Sequence, residues 1–520
     1  MQREQAILLH SADDVVIAKE DLEAGTVILA AGAALQLRQS IRAGHKIARR
    51  SVTTGSPLRR YGQIIGYATS DVEAGEHVHV HNLEAGAGAR TYEAGADATP
   101  VEFYPPEQQR HFEGFARPDG RVGTRNYVAI VSTVNCSASV SQFARERFSH
   151  VTRDFPNVDG VIALTHTSGC GQVLGSEDHR MLERVLAGYA RHPNVAAYVI
   201  VGLGCEVNQA PAMIERHKLS LANLEQSAAA RSGHNEAPPV VTIQQAGGVR
   251  KAVEATADAV AQLLPRANAA RRTKQPVSAL VVATNCGGSD GNSGITANPA
   301  LGWAIDELVR HGGTGVLAET TEIYGAEHLL VRRAKSPAVA QKLLARIAWW
   351  KTHLAARGAE MNNNPAPGNK AGGLTTVLEK SLGGIAKAGT TPLNEVFEYA
   401  ERITARGFVY MDTPGHDPVS ITGLVAGGAN VICFTTGQGS VLGCKPTPTI
   451  KLASNTPLYR RMQDDMDIDC GVILAGTSVA EVGRRVFEEI VLVASGRQTK
   501  SELSGVGEAE FAPWMMGPVL

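Results

Sequence analysis

No apolar run in this 520-residue chain is long enough to span a membrane, and its opening, MQREQAILLH, has no signal-type apolar core. These absences predict a cytoplasmic protein with no membrane partner. An excess of charge of one sign is also lacking. Lys and Arg number 50 against 51 Asp and Glu, so nothing electrostatic calls for a nucleic acid. Aromatics are scarce at 5% while glycines reach 54, which suits an α/β enzyme rich in tight turns. The seven cysteines are odd in number and form no C-x2-C pair, which argues against a disulfide framework, a zinc finger or a thioredoxin-type site. No strand is followed by G-x-G-x-x-G with a spaced acidic residue, and no glycine loop ends in GKS or GKT. A nucleotide-dependent oxidoreductase and a P-loop enzyme are therefore disfavoured.

What is present begins with four cysteines at the ends of apolar runs. Cys136 follows YVAIVSTVN, Cys170 follows VDGVIALTHTSG, Cys205 follows AAYVIVGLG and Cys286 follows ALVVATN. In a parallel sheet the carboxyl ends of the strands open on one edge, where ligands bind. A buried cysteine is ordinarily a small hydrophobe, and each one alone reads that way. Four together, flanked by Gly169, Gly171, Glu206, Gly287 and Gly288, point to a shared soft-metal or active-site edge.

The length predicts two to four domains. Residues 1–95 carry short β-like pieces separated by EAG and RAG turns, residues 96–112 read as a Pro-bearing linker, and strand–helix alternation follows. The polar stretch at 270–277 divides that alternation into α/β units at 113–270 and 271–520, with mainly parallel sheets. Within the second unit, GFVYMDTP, ANVICFTTG and CGVILAG read as strands, and the Asn/Pro/Gly stretch at 362–373 as a functional loop.

Several polar groups are candidates for chemistry. HVHVHN places His77, His79 and His81 on one face of a strand, where imidazoles can bind a divalent metal; a solvated face is the competing reading. His45 stands beside Lys46 on a loop. His166 lies four residues before Cys170, so imidazole and thiol share a side. In CGGSDGNSG, residues Gly287, Gly288, Ser289 and Asp290 form a turn into a helix that can cradle a carboxylate or phosphate. Glu319 and Glu322 pair at a strand end, suited to metal ligation or proton abstraction, with an acidic first helical turn as the alternative. Asn369, Lys370 and Lys380 fit recognition of an acid, whereas Glu379 reads as a solvated charge. His416 and Asp417 follow another strand, and Thr436, Gly437 and Gly439 the next.

RPDGRVGTRNYVAIVSTVNC, THTSGCGQ, VIVGLGCE, CGGSDGNSGITANPALG, ETTEIYGAEHLL, NPAPGNKAGGLTTVLEKSLG and the TGQG segment resemble, in that order, the altronate/galactarate dehydratase family. GHK, RRYGQIIGYAT and AGEHVHVHN resemble its SAF module, a β-clip-like unit. The resemblance implies an α/β enzyme with a small β-rich N-terminal module. It implies a hydro-lyase that removes water across C2 and C3 of an altronate-like aldonate or galactarate-like aldarate, giving a 2-keto-3-deoxy acid. Fe²⁺ is the expected metal, with Mn²⁺ or an iron–sulfur cluster as alternatives, and a homo-oligomer is the expected assembly.

HVHVHN and IYGAE resemble the altronate branch more closely. Two positions depart from the family pattern: Gln438 stands where TGRGT would place arginine, and VLGCKPTPTIK carries Cys444 and Lys445. The roles expected are Cys136, Cys170, Cys205 and Cys286 at a metal or active site, with Glu319 and Glu322 or His77 and His79 as further ligands. His45 or His166 serves as acid or base, while Lys46, Lys370, Lys380, Asn369, Asp417, Thr436, Gly437 and the 287–290 turn bind substrate. Related two-chain enzymes expel sulfite from sulfolactate, so a sulfo-lyase is the second reading. A non-catalytic sugar-acid-binding protein is the third.

Overall fold

The computed structural model describes residues 4–30, 32–86, 91–224 and 236–516. Residues 1–3 and 87–90 of the expected N-terminal module, and 517–520 of the last unit, lie outside the described residues.

The first module is built of short antiparallel strands, as the sequence leads one to expect. Ala6–Ile7, Val15–Ala18, Lys46–Ala48 and His77–Val78 form one sheet. Val27–Ala30 pairs with Ala33–Gln36, and Pro57–Arg60 pairs with Gln63–Ala68, which also pairs with Leu83–Glu84. The tight turns need left-handed backbone: Gly44, for instance, has φ +81°, and a Cβ there would sit 3.3 Å from Asn292 of the body.

The second unit is a four-stranded parallel sheet. Its strands are β1 (Tyr127–Ser132), β2 (Gly160–Leu164), β3 (Val195–Gly202) and β4 (Val240–Thr242), in the order β2-β1-β3-β4. β1 and β3 are buried along their whole length, which is why they read as continuous apolar runs. The helices α1 (Ala138–Glu146), α2 (Glu177–Ala190) and α3 (Val249–Asn268) cover the sheet, and the hydroxyl of Ser176 caps α2 by accepting from His179 N–H.

The third unit is a seven-stranded parallel sheet. It contains β5 (Val281–Cys286), β6 (Thr314–Leu317), β7 (Leu393–Phe397), β8 (Gly407–Met411), β9 (Val431–Thr436), β10 (Thr449–Ala453) and β11 (Ile468–Asp469). The order is β7-β8-β6-β5-β9-β10-β11. The helices α4 (Ala297–Arg310), α5 (Pro337–Ala355), α6 (Val377–Gly384), α7 (Asp417–Ala426) and α8 (Val479–Ala494) complete it. From β5 the chain proceeds to β6 on one side, and it returns through β9 to the other. The loops after β5 and β9 therefore flank a topological switch point, where ligands of open α/β sheets bind.

The helices α2 and α7 leave different sheets and run together in one direction. Gly188 packs against Ala426, and Arg184 donates to the carbonyl of Tyr399, whose own hydroxyl donates to that of Val419.

Two local expectations, CGVILAG and HVHVHN as strands, are corrected. CGVILAG is a 3₁₀ turn over Gly471–Ala475, because the short β11 that precedes it completes the sheet edge. The end of the expected linker and the 270–277 boundary are ordered together: His111–Ala116 pairs with Thr273–Pro276 and with Val122–Gly123 in a small antiparallel sheet. Regular strand in HVHVHN ends at Val78, and Asn82 closes a turn by donating N–H to the His79 carbonyl.

Candidate active site at the strand ends

Cys286 is the last residue of β5, and the carboxylates that follow β6 close over it. Glu319 sits in left-handed backbone at φ 69°, a conformation that costs a non-glycine residue about 1–3 kcal/mol and that gathers at functional sites. The backbone is held there by Thr413, whose hydroxyl oxygen accepts Glu319 N–H at 2.9 Å. Glu319 Oε2 accepts from Cys286 N–H at 3.1 Å and from Lys387 Nζ at 2.7 Å. Glu322 Oε2 accepts from the Cys286 thiol at 3.2 Å, and its Oε1 accepts from Lys380 Nζ at 2.6 Å and Asn364 Nδ2 at 3.0 Å. Lys387 Nζ also donates to Cys286 Sγ at 2.7 Å. All of these groups except Asn364 are buried.

Charge balance decides the protonation states. Burial pushes Glu319 up to about 7, against the pull of Lys387. Burial also opposes ionisation of Glu322, but Lys380 and Lys387 outweigh it and hold this carboxyl below its ordinary value. Asp417, at the start of α7, is driven up to about 8 by burial and by the charges of Glu319 and Glu322. Two ammonium groups thus accompany the ionised Glu322, while Glu319 titrates near neutrality and Asp417 a little above it. Burial, with Glu319 adding to it, pushes the Cys286 thiol well up.

The turn after β5 is anchored rather than free. Asp290 Oδ1 accepts from Asn292 N–H, from both N–H and hydroxyl of Ser293, and from the Ser454 hydroxyl, and Asn455 reaches its Oδ2. Gly288 O accepts N–H from Gly437 and Gln438, which ties this turn to the loop after β9. Gly287 cannot be replaced without collision, since a Cβ there would lie 2.2 Å from Asp417 Oδ2. Thr436 Oγ1 accepts Gly439 N–H at 3.0 Å.

One segment, residues 361–373, joins Glu322 and Lys380 to the turn after β5 and the loop after β9. Asn364 meets Glu322 and Lys380, Gly368 O accepts from Gln438 Nε2 at 2.5 Å, and Asn369 Nδ2 donates to Ser289 O at 2.9 Å. A short helix, Pro367–Ala371, replaces the structureless loop expected there. Beyond it stand the histidines. His79 Nε2 donates to Lys370 O at 2.8 Å and His45 Nε2 to Ala371 O at 3.2 Å, while His77 Nε2 lies 2.9 Å from His45 Nδ1. Because a carbonyl can only accept, His45 Nδ1 is the acceptor and His77 Nε2–H the donor. Burial lowers His45 to about 4 and His77 to about 3, so both rings are neutral at pH 7. His81 is exposed, with its ring 5.6 Å from that of His77.

Comparison with known proteins agrees over most of the chain. Family models described as "Altronate/galactarate dehydratase SAF domain", "D-galactarate dehydratase/Altronate hydrolase, second domain" and "D-galactarate/Altronate dehydratase, C-terminal" match residues 4–86, 114–268 and 277–519. The chain belongs to the altronate/galactarate dehydratase family. It is 34% identical to the altronate dehydratase of Bacillus subtilis (strain 168), over 95% of this chain and 96% of that one. It is 36% identical to the galactarate dehydratase (L-threo-forming) of Escherichia coli (strain K12), over 95% and 93%. The (2R)-sulfolactate sulfo-lyase subunit beta of Chromohalobacter salexigens is 32% identical, over 77% of this chain and 96% of that subunit. The protein is accordingly a hydro-lyase, built from a SAF module and two α/β units.

In this dehydratase Cys286, Glu319 and Glu322 form a candidate metal site. They are the one group of three or more such side chains, among the described residues, whose ligand atoms lie within 4.8 Å of one another. The donors suit a divalent ion, and Glu319 Oε1 is buried with no hydrogen-bond partner, a lone pair that an ion would use.

The structure also separates residues that the sequence grouped. Cys136, Cys170 and Cys205 are exposed on the edge of the four-stranded sheet, whereas Cys286 belongs to the seven-stranded one. His166 is buried in the second unit, its Nε2 donating to Ser132 O and its Nδ1 accepting Ser168 N–H. Cys444 is buried against the Tyr189 hydroxyl and Lys445 pairs with Glu508, so neither reaches the cluster. Exposed His416 only precedes α7.

Glu379 corrects the reading of a solvated charge. It is fully buried, because Lys46 and Arg60 of the SAF module converge on it at 2.9 and 2.5 Å. Lys387 and Asn364 were not anticipated. Lys387 lies seven residues beyond Lys380, a helical spacing that offers the one sequence signal for it.

Proposed function

We propose that this hydro-lyase removes water across C2 and C3 of a sugar acid, an altronate-like aldonate or a galactarate-like aldarate, to give a 2-keto-3-deoxy acid. The observation that carries this reading is the buried Cys286–Glu319–Glu322 cluster with its two lysines, joined through one short segment to Lys370 and the histidines of the SAF module. Similarity to relatives named altronate and galactarate dehydratase supports the substrate class.

A proton alpha to a carboxylate is weakly acidic, so the site must bind the carboxylate, accept the proton and assist the departing hydroxide. Half-buried Lys370 provides a cation for the substrate carboxylate, and Asn369 fixes its segment to the 287–290 turn. The proton is accepted through a relay: His77 takes it at Nδ1 and passes its own Nε2 proton to Nδ1 of His45, which Ala371 O orients. Asp417, protonated at neutral pH, donates one to the leaving group. A divalent ion, Fe²⁺ with Mn²⁺ as its substitute, would be held by Cys286, Glu319 and Glu322 and would supply Lewis acidity.

The test is a panel of aldonates and aldarates, assayed anaerobically with Fe²⁺ for 2-keto-3-deoxy products. Full activity after Fe²⁺ and Mn²⁺ are stripped would eliminate the metal. The sulfo-lyase likeness, together with Gln438 in place of arginine, favours a second reading in which sulfite is expelled from a sulfonated 2-hydroxy acid. Sulfite release without keto-deoxy product would select it.

A further inference from the structure

Three thiols remain outside the cluster just described, and their placement is not that of filler. Cysteine is among the most buried residue types, and Cys286, Cys433, Cys444 and Cys470 obey that rule. Cys136, Cys170 and Cys205 do not. They are the three exposed cysteines, and each stands in the loop after one of three adjacent strands, β1, β2 and β3.

The three loops are laced together within a few residues of each sulfur. Asn135 N–H donates to Ser168 O at 2.9 Å, and its side chain donates to His166 O at 3.1 Å. Val207 and Asn208 both donate N–H to Gly169 O at 3.1 Å, and Asn208 Nδ2 donates to Thr133 O at 2.9 Å. Glu206 fixes the Cys205 loop by accepting from the Thr133 hydroxyl and from the N–H groups of Leu203 and Gly204. Gly169 permits the close approach: a Cβ there would lie 2.3 Å from Thr133 O, and its φ is +96°. These bonds tie the three thiol-bearing loops into one framework, the support that a preorganised ligand set requires.

The spacing argues against a single ion. One tetrahedral ion with metal–sulfur bonds of about 2.3 Å needs its sulfurs about 3.8 Å apart. The three sulfurs do not all lie within 4.8 Å of one another. A polynuclear centre bridges wider gaps than one ion can. Gln244 Nε2 already donates to Cys205 Sγ at 3.4 Å, the kind of contact that tunes a sulfur ligand, and the buried Asn208 Oδ1 and Gln172 Oε1 have no partner in the same loops. His166 cannot supply a fourth ligand, because both of its ring nitrogens are engaged.

We propose that Cys136, Cys170 and Cys205 hold an iron–sulfur cluster of the 4Fe–4S type, with three irons ligated by protein and the fourth open to solvent or a ligand. This centre is separate from Cys286, Glu319 and Glu322, and it stands or falls independently of the sugar-acid reading. An iron without a protein ligand is readily lost to oxygen, so the centre is labile in air.

The full-length chain, purified and reconstituted anaerobically with Fe²⁺, sulfide and a thiol reductant, is assayed for iron, acid-labile sulfide and visible charge-transfer absorbance. About four irons and four sulfides per chain are expected. Cys286→Ser should retain the sulfide and the absorbance, and Cys136→Ser, Cys170→Ser and Cys205→Ser should each lose them. Where a variant fails to fold, thiol alkylation of the wild-type protein gives the same information: the three cysteines are protected in the reconstituted form and labelled after oxidation and chelation. Iron bound without sulfide, sulfide retained in the triple variant, or equal labelling in both forms overturns the proposal.

Discussion

Glu379 and Lys380 are consecutive in α6 yet serve opposite sides of it. Glu379 receives Lys46 and Arg60 from the SAF module, whereas Lys380 reaches Glu322 and Asn364 at the strand ends. The joint between module and body is therefore one peptide bond from the candidate chemistry.

Glu379→Gln leaves two buried cations without their carboxylate and should lower stability by about 3–5 kcal/mol, read as a shifted urea midpoint. Burial opposes ionisation of Glu379, but Lys46 and Arg60 prevail and hold it at about 2. A carboxyl depressed on folding stabilises above its unfolded value of about 4.3, and that contribution disappears as pH falls toward the folded value. The wild-type urea midpoint should thus decline from pH 4.5 toward pH 2 more steeply than that of the variant. Parallel curves would contradict the pairing.

Glu319→Gln keeps the shape of the cluster but removes a carboxylate held by Lys387 and Cys286 N–H. Turnover should fall by about 10²–10⁴ with the far-UV spectrum unchanged. Near-normal kcat would exclude Glu319 from the site.

Gly287→Ala forces a methyl group to within 2.2 Å of Asp417 Oδ2 and 2.6 Å of Phe434 Cζ. The Asp417 carboxyl is the softer neighbour and moves. Activity should drop more than tenfold while stability falls by about 1–3 kcal/mol, as for other overpacked sites. Unchanged kinetics would show that the position of Asp417 does not matter.

Lys370→Met tests the substrate cation. The loss of one charge-assisted contact, worth about 1.5–3 kcal/mol, should raise KM about 10- to 100-fold with little change in kcat. A fall in kcat at constant KM would assign Lys370 to the chemical step instead.

Strand ends were legible because buried parallel strands print themselves as unbroken apolar runs, as in YVAIVS and VICFTT. The positions of Cys286, Glu319 and Asp417 followed from that. Partition of the four cysteines between two sheets was not legible, since neighbouring strands are chosen by tertiary packing and leave no local mark. Glu379 misled for the same reason: its partners lie more than 300 residues away in the chain, so LEKSLG alone reads as a charged helix start. Conversely, HVHVHN grouped its imidazoles for the wrong reason, because a turn rather than a strand holds His79 near His77.

Lys46 and Arg60 do more than neutralise Glu379, for they also donate to the carbonyls of Gly373 and Gly291. Without them the body would end in a carboxylate held only by Thr375, its charge unbalanced, and in backbone oxygens stripped of these donors, facing a vacancy where apolar residues of the module now join Ala326 and Leu382. The two α/β units are thus an unfinished solid by themselves. Their last layer is delivered by the first residues of the chain, and completing the fold is itself an act of docking.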